Sequence, residues 1–139
     1  MKKNITYFAL SIILFCLISP PSRGVNYTRS NENPLTTKEV LEEFYSATGG
    51  DNWINNTNWC TNAPISDWFG LQTHGVEVFW MDLHSNNLNG QIPASFSQLI
   101  DLEFINLSNN NLPGPISPAF SQIPSIVTLD LSNTGATGN

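Results

Sequence analysis

The sequence predicts an α/β solenoid, with short parallel strands stacked coil on coil and a helical N-terminal cap. The main observation is a repeat. VFWMDLHSNNLNGQIP from Val78 to Pro93 returns as LEFINLSNNNLPGPIS from Leu102 to Ser117, and again as IVTLDLSNTGATGN from Ile126 to Asn139. Every apolar anchor recurs at an offset of 24: Val78, Leu102 and Ile126; Met81, Ile105 and Leu129; Leu83, Leu107 and Leu131; Leu88, Leu112 and Ala136. A fixed period of this kind marks units that bury their apolar side only by stacking on one another. Within each unit Met81 and Leu83 flank Asp82, the period-2 alternation of a strand. The stretch just before the repeats holds a helix pattern and three of the four tryptophans, where a solenoid's first coil would otherwise expose its core.

Composition bounds the partners. The 139-residue chain carries −6 at neutral pH, but Lys2, Lys3 and Arg23 lie in the first 24 residues. Beyond them only Arg29 and Lys38 stand against eleven acids, a net −9. Such a surface excludes nucleic acid and anionic membrane as natural partners. Membrane association is expected only through an uncleaved signal or a C-terminal segment beyond this sequence.

In chain order, residues 1–24 read as a secretory signal: two lysines, an apolar run from Ile5 to Ile18, and SPPSRG before an expected cleavage after Gly24. The run is shorter than the roughly 20 residues a membrane span needs. Residues 25–35 are a polar, flexible lead-in. A helix is predicted over 36–48: Thr36 is the N-cap, Glu39 its capping-box partner, and Leu35 and Val40 a staple. Val40, Leu41, Phe44 and Tyr45 form its buried stripe, with Glu42 and Glu43 expected on the solvated face, and Thr48-Gly49-Gly50 ends it. The Trp-rich loop to residue 77 completes the cap, with packing expected for Trp53, Trp59 and Trp68 and a carbohydrate-stacking surface as the alternative. Cys16 lies in the apolar run, so a mature chain would hold Cys60 alone, read as a thiol beside Trp59, with an intermolecular disulfide as the alternative.

The spacing LxxLxLxxNxLxGxIP resembles the 24-residue plant-type leucine-rich repeat. The first copy matches through Val78, Met81, Leu83, Asn86, Leu88, Gly90, Ile92 and Pro93. The second has Ser117 at the proline position, and the third has Thr134 at the asparagine position and Ala136 at a leucine position. The segment TGGDNWINNTNW with DWFG resembles the N-terminal cap that precedes such repeats in secreted proteins, though without the paired cysteines that plant relatives carry there. The resemblance implies a right-handed solenoid over residues 78–139 with two full repeats and one partial, its C-terminal end uncapped. It also implies short 3₁₀ segments and a second short strand on the return path. Asn86 and Asn110 are expected to turn inward and form a ladder, with Thr134 able to satisfy fewer backbone groups. Phe96, Leu99, Phe120 and Ile123 are expected to fill the space behind the strands.

Family members bind partners on the concave face, which places the candidate site on the columns Trp80, Phe104, Thr128; Asp82, Asn106, Asp130; and His84, Ser108, Ser132. The ligand-binding candidates are Trp80, Asp82, His84, Phe104, Asn106, Ser108, Thr128 and Asp130. A catalytic role for His84 beside Asp82 is not expected, because residues i and i+2 on a strand lie about 7 Å apart. No cofactor or metal site is expected either, with Asp82 and Asp130 two strands apart. Sequons stand at Asn26, Asn55 and Asn106, the first two being the better glycosylation candidates. The expected function is a secreted or cell-surface module that recognises a protein or glycan. The alternative is a structural role as the cap and first coils of a longer receptor-like or adhesion protein.

Overall fold

The computed structural model describes residues 34–138. The signal-like segment, all but the end of the lead-in, Asn26 and Asn139 lie outside the described residues. Helix α1 spans Thr37–Ala47. Thr36 is its N-cap: its hydroxyl accepts the Glu39 N–H at 3.3 Å, and its own N–H donates to Glu39 Oε2 at 2.8 Å. Two orphan donors of the first turn are thereby satisfied. The helix stops where Gly49 takes φ +70, a left-handed conformation that costs a residue without Cβ little.

Val40, Leu41, Phe44 and Tyr45 are buried as a stripe, but Glu42 is buried with them at 8% exposure. This corrects the solvated face expected for it. Lys38, one turn back, explains how the carboxylate is tolerated: its Nζ lies 3.9 Å from Glu42 Oε1 and donates to the Thr61 carbonyl at 3.0 Å, drawing the following loop toward the helix.

That loop, with 3₁₀ turns at Gly50–Asn52 and Ile65–Asp67, delivers Trp53, Trp59 and Trp68 into the core. Each indole N–H finds a carbonyl, of Thr48 at 3.0 Å, Phe69 at 2.9 Å and Ala63 at 3.2 Å respectively. The rings pack edge-on or tilted, with centroids 4.9 Å apart for Trp53 and Trp59 and 5.0 Å for Trp59 and Trp68. Buried in this way they offer no carbohydrate-stacking surface. Cys60 is half-buried and disulfide-bonded, which corrects the thiol expected from its being alone in a processed chain. The other cysteine of the sequence, Cys16, is outside the described residues.

Four strands form the main sheet in the order β1 (Leu71–His74), β2 (Glu77–Asp82), β3 (Phe104–Asn106), β5 (Thr128–Asp130). The last three are parallel, in the register set by the 24-residue offset: Trp80 with Phe104 and Thr128, Met81 with Ile105 and Leu129, Asp82 with Asn106 and Asp130. Strand β1 was not foreseen. It folds back antiparallel on β2 through a two-residue turn at Gly75 and Val76 and covers the first edge of the sheet. On the far side β4 (Gly114–Pro115) pairs in parallel with β6 (Ala136–Thr137), the second short strand of the return path, and 3₁₀ turns run over Ala94–Gln98 and Phe120–Gln122.

Leu83, Leu88, Phe96, Leu102, Ile105 and Leu107 are fully buried between these layers. Phe44 of α1 meets Phe96 at 5.2 Å, and Phe96 meets Phe120 at 5.6 Å, so one aromatic path runs from the helix into the second coil. Gly90 makes the approach possible, because a Cβ there would lie 2.0 Å from the Ala47 carbonyl oxygen. The third coil keeps the register but not the burial: Leu129 is 37% exposed where its counterparts Met81 and Ile105 are fully buried, since no further coil among the described residues lies over it.

Candidate functional site

The concave candidates arise from strand register. Parallel strands lie about 4.8 Å apart, so side chains at matched positions meet. Trp80 and Phe104 do so face to face, with ring centroids 3.6 Å apart and planes 8° from parallel, and both are half-buried. Thr128 continues the column exposed, and exposed Gln72 of β1 pairs with Trp80 on the other side. A bulge between Gln72 and Thr73 leaves Phe79 out of the pairing, and its ring stacks on His74 at 4.2 Å and 12°. Sequence reasoning missed Gln72, His74 and Phe79. The signal available was the alternation of Leu71 and Thr73 ahead of a glycine turn, short enough to be hidden in the loop.

The second column is a row of Asx turns. Asp82 Oδ1 accepts the His84 N–H at 3.4 Å and lies 2.7 Å from His84 Nδ1. Asn106 Oδ1 accepts from Ser108 N–H at 3.1 Å and Ser108 Oγ at 2.8 Å, and Asp130 Oδ1 accepts the Ser132 N–H at 2.8 Å. The separation of about 7 Å expected between Asp82 and His84 belongs to extended chain. Strand β2 ends at Asp82, the backbone turns there, and the imidazole comes back onto the carboxylate. The bonds from Ser132 also hold the Asp130 carboxyl below its ordinary range, so it is charged at any neutral or mildly acidic pH.

Exposure sorts the candidates. The His84 side chain is 56% exposed and that of Asp82 31%. Ser108 is 6% exposed with its hydroxyl committed to Asn106, so it does not offer the concave face the oxygen expected of it. The residues that follow, Ser85, Asn109 and Asn133, all take left-handed φ of 51, 55 and 55°, the turn that carries each coil off the sheet.

Beneath the face lie the inward amides. Asn86, 2% exposed, brackets Asn55, accepting its N–H at 2.7 Å and donating to its carbonyl at 2.9 Å. Asn110 Oδ1 accepts the N–H groups of Asn86 and Leu88, and its Nδ2 donates to Leu83 and Leu107 carbonyls. The Thr134 hydroxyl reaches only within its own coil, to the Leu131 carbonyl and the Ala136 N–H. Of the sequons, Asn55 is half-buried with its side chain accepting from Thr57 N–H, and Asn106 is half-buried in its Asx turn.

Elsewhere, a convex-side recess of about 150 Å³ is lined by residues of all three coils, including Ile92, Leu112, Ile116 and Ala136. No group of three or more His, Cys, Asp or Glu among the described residues could hold a metal ion, and none of the described helices is long and apolar enough to cross a membrane.

With this architecture in view, residues 77–135 match the family model for the leucine rich repeat. The BIR2 ectodomain from Arabidopsis thaliana is similar at 24% identity, over 79% of this chain and 58% of that one, with a TM-score of 0.61. The ectodomain of the Arabidopsis receptor kinase HAESA, solved in complex with an N-terminally extended IDA peptide hormone ligand, is similar at 22% identity, over 73% of this chain and 17% of that one, with a TM-score of 0.59. The PEPR1–AtPEP1 structure gives 22% identity, over 71% of this chain and 14% of that one, at the same TM-score of 0.59. At these identities the likeness is one of fold. No curated protein matches the chain.

Proposed function

We propose that the chain is a recognition module, secreted or at the cell surface, that binds a protein or glycan partner through its concave face. The observation that carries this reading is the face-to-face stack of Trp80 on Phe104 at 3.6 Å. A rigid, half-buried aromatic pair loses little conformational freedom on binding and offers a large apolar area, the kind of anchor on which interfaces concentrate their energy. Thr128, Asp82, Asn106, Asp130 and His84 supply a polar margin around it. Supporting the reading, the HAESA ectodomain, similar in fold, was solved with a peptide hormone ligand. Secretion rests on the signal-like residues 1–24. Residues 36–77 act as the N-terminal cap, a role supported by the Phe44–Phe96 contact between α1 and the first coil.

The module is not read as an enzyme. The Asp82–His84 pair orients an imidazole, but the Ser108 hydroxyl in the same column is buried and committed to Asn106. To test the binding role, the chain is screened against secreted proteins, peptides and glycans, and each binder is measured again on the Trp80→Ala/Phe104→Ala variant. Affinity unchanged for every binder would remove the concave face from consideration.

A second reading makes these the opening coils of a longer receptor-like or adhesion protein. It is supported by exposed Leu129 on the third coil, whose counterparts Met81 and Ile105 are fully buried beneath the next coil. Biochemical fractionation of the protein from its natural source, with the mass of the native chain, separates the two.

A further inference from the structure

Resting on the concave-face reading, we infer that the partner is a basic peptide segment, docked with an arginine or lysine side chain over the Trp80–Phe104 stack and a second cation at the Asx-turn column. Three observations lead there. First, residues 77–138 contain five carboxylates (Glu77, Asp82, Asp101, Glu103 and Asp130) and no lysine or arginine. The nearest cationic side chain in sequence, Lys38, is occupied by Glu42, the Thr61 carbonyl and the Trp68 ring. No lysine or arginine of the repeats therefore competes for the aromatic faces or the carboxylates.

Second, the aromatic stack has a carboxylate on its own face: Asp82 follows Trp80 by two residues on the same strand. Trp80 and Phe104 cover each other's inner faces, so the cation takes an outer face of the stack, where the ring quadrupole attracts it and a guanidinium can also stack. Neighbouring carboxylates strengthen that preference over a neutral sugar, which would stack on the rings but gain nothing from the charges.

Third, the Asx turns hold the column's carboxylates in place without exhausting them. Asp82 and Asp130 each use Oδ1 for the turn. The two carboxylates stand two strand spacings, about 10 Å, apart, flanking Asn106. An extended peptide crossing the strands meets both with cations roughly three residues apart.

Asn106 also provides the means of testing this. It makes the same Asx turn as its neighbours without a charge, so Asp82→Asn and Asp130→Asn remove charge and keep the geometry. The full chain is titrated with labelled hexapeptides in which two glycines separate successive arginine, lysine, glutamate or serine residues, and with a neutral hexasaccharide, followed by fluorescence anisotropy at low and high salt. The arginine and lysine peptides should bind at least about tenfold more tightly than the other probes, with affinity falling as salt rises. Asp82→Asn/Asp130→Asn should weaken them several-fold while circular dichroism stays unchanged.

If the serine peptide or the saccharide binds as tightly as the arginine peptide and is lost in Trp80→Ala/Phe104→Ala, the cationic assignment is overturned and the concave-face reading stands. If the basic peptides bind equally to the parent and to every concave variant, attraction to the acidic chain is nonspecific and both fail. If neither basic peptide binds, the cationic assignment alone is overturned.

Discussion

Asn110 reaches back one coil to Asn86, accepting its N–H at 3.0 Å on the same Oδ1 that takes the Leu88 N–H at 2.9 Å, while its Nδ2 donates to the Leu83 carbonyl at 2.9 Å. One amide thus satisfies three backbone groups of the preceding coil where its strand ends. Leaving a buried backbone group without a partner costs about 1–3 kcal/mol. Asn110→Ala is expected to lower unfolding free energy by about 3 kcal/mol or more, against about 1 kcal/mol for Thr134→Ala, whose hydroxyl serves only its own coil. Denaturant unfolding of both variants decides it, and equal losses would mean the ladder does not join the coils.

Gly90 ties the helix to the first coil. It takes φ +148, and a Cβ would meet the Ala47 carbonyl oxygen at 2.0 Å. Gly75, at φ +64, has nothing within 4 Å. Gly90→Ala should therefore cost more than about 3 kcal/mol, combining backbone strain with displacement of α1, while Gly75→Ala costs about 1 kcal/mol from backbone strain alone. Matching midpoint shifts for the two would contradict the packing of α1 on the first repeat.

Glu42 predicts a pH dependence. Desolvation raises its pKa from 4.5 against the opposing pull of Lys38. Between 4.5 and that raised value the folded chain binds more protons than the unfolded one, so stability falls as pH rises through the window and the penalty persists above it. Glu42→Gln should raise the thermal midpoint at neutral pH, with the gain vanishing below pH 4.5. A variant no more stable than the parent at pH 7 would place the carboxylate in solvent.

Tyr45 titrates at the other extreme. Burial, reinforced by donation to Asp51 Oδ1 at 3.0 Å, pushes its phenol up to about 12. The unfolded phenol ionises first, near 10, so the stability held by the neutral form is complete below that pH and is lost as pH rises toward about 12. Tyr45→Phe should lose about 1 kcal/mol at neutral pH through the missing hydrogen bonds but show a flatter alkaline decline. Absorbance titration of tyrosinate alongside alkaline unfolding measures both, and a Tyr45 that ionises near 10, as the unfolded phenol does, would refute its burial.

Much of the concave surface was legible because a repeat of constant length leaves parallel strands only one register. The offset of 24 alone pairs Trp80 with Phe104, and their stacking follows from the spacing of strands. What escaped the sequence depends on the path of the backbone. Strand β1 is four residues long and carries its alternation inside a loop rich in turn residues. The Asp82–His84 contact requires the strand to end at Asp82, and the loss of Ser108 from the surface requires its hydroxyl to turn onto Asn106. Helical periodicity places Glu42 in solvent because it describes one element and carries no information on Lys38 and the Thr61 loop, which close over it.

The sequence by itself determined the architecture: repeat period, inward leucines, asparagine ladder positions and helix cap are all local patterns whose physical reasons lie within a few residues. Only the tertiary structure decided which polar side chains remain available. Hydrogen bonds between residues two apart, or a coil apart, consumed Ser108 and one oxygen each of Asp82 and Asp130, and packing took three tryptophans into the core while leaving Trp80 at the surface. Burial and hydrogen-bond satisfaction are properties of the assembled coils, since a polar atom is free to meet a ligand only after every neighbouring backbone group has found its partner.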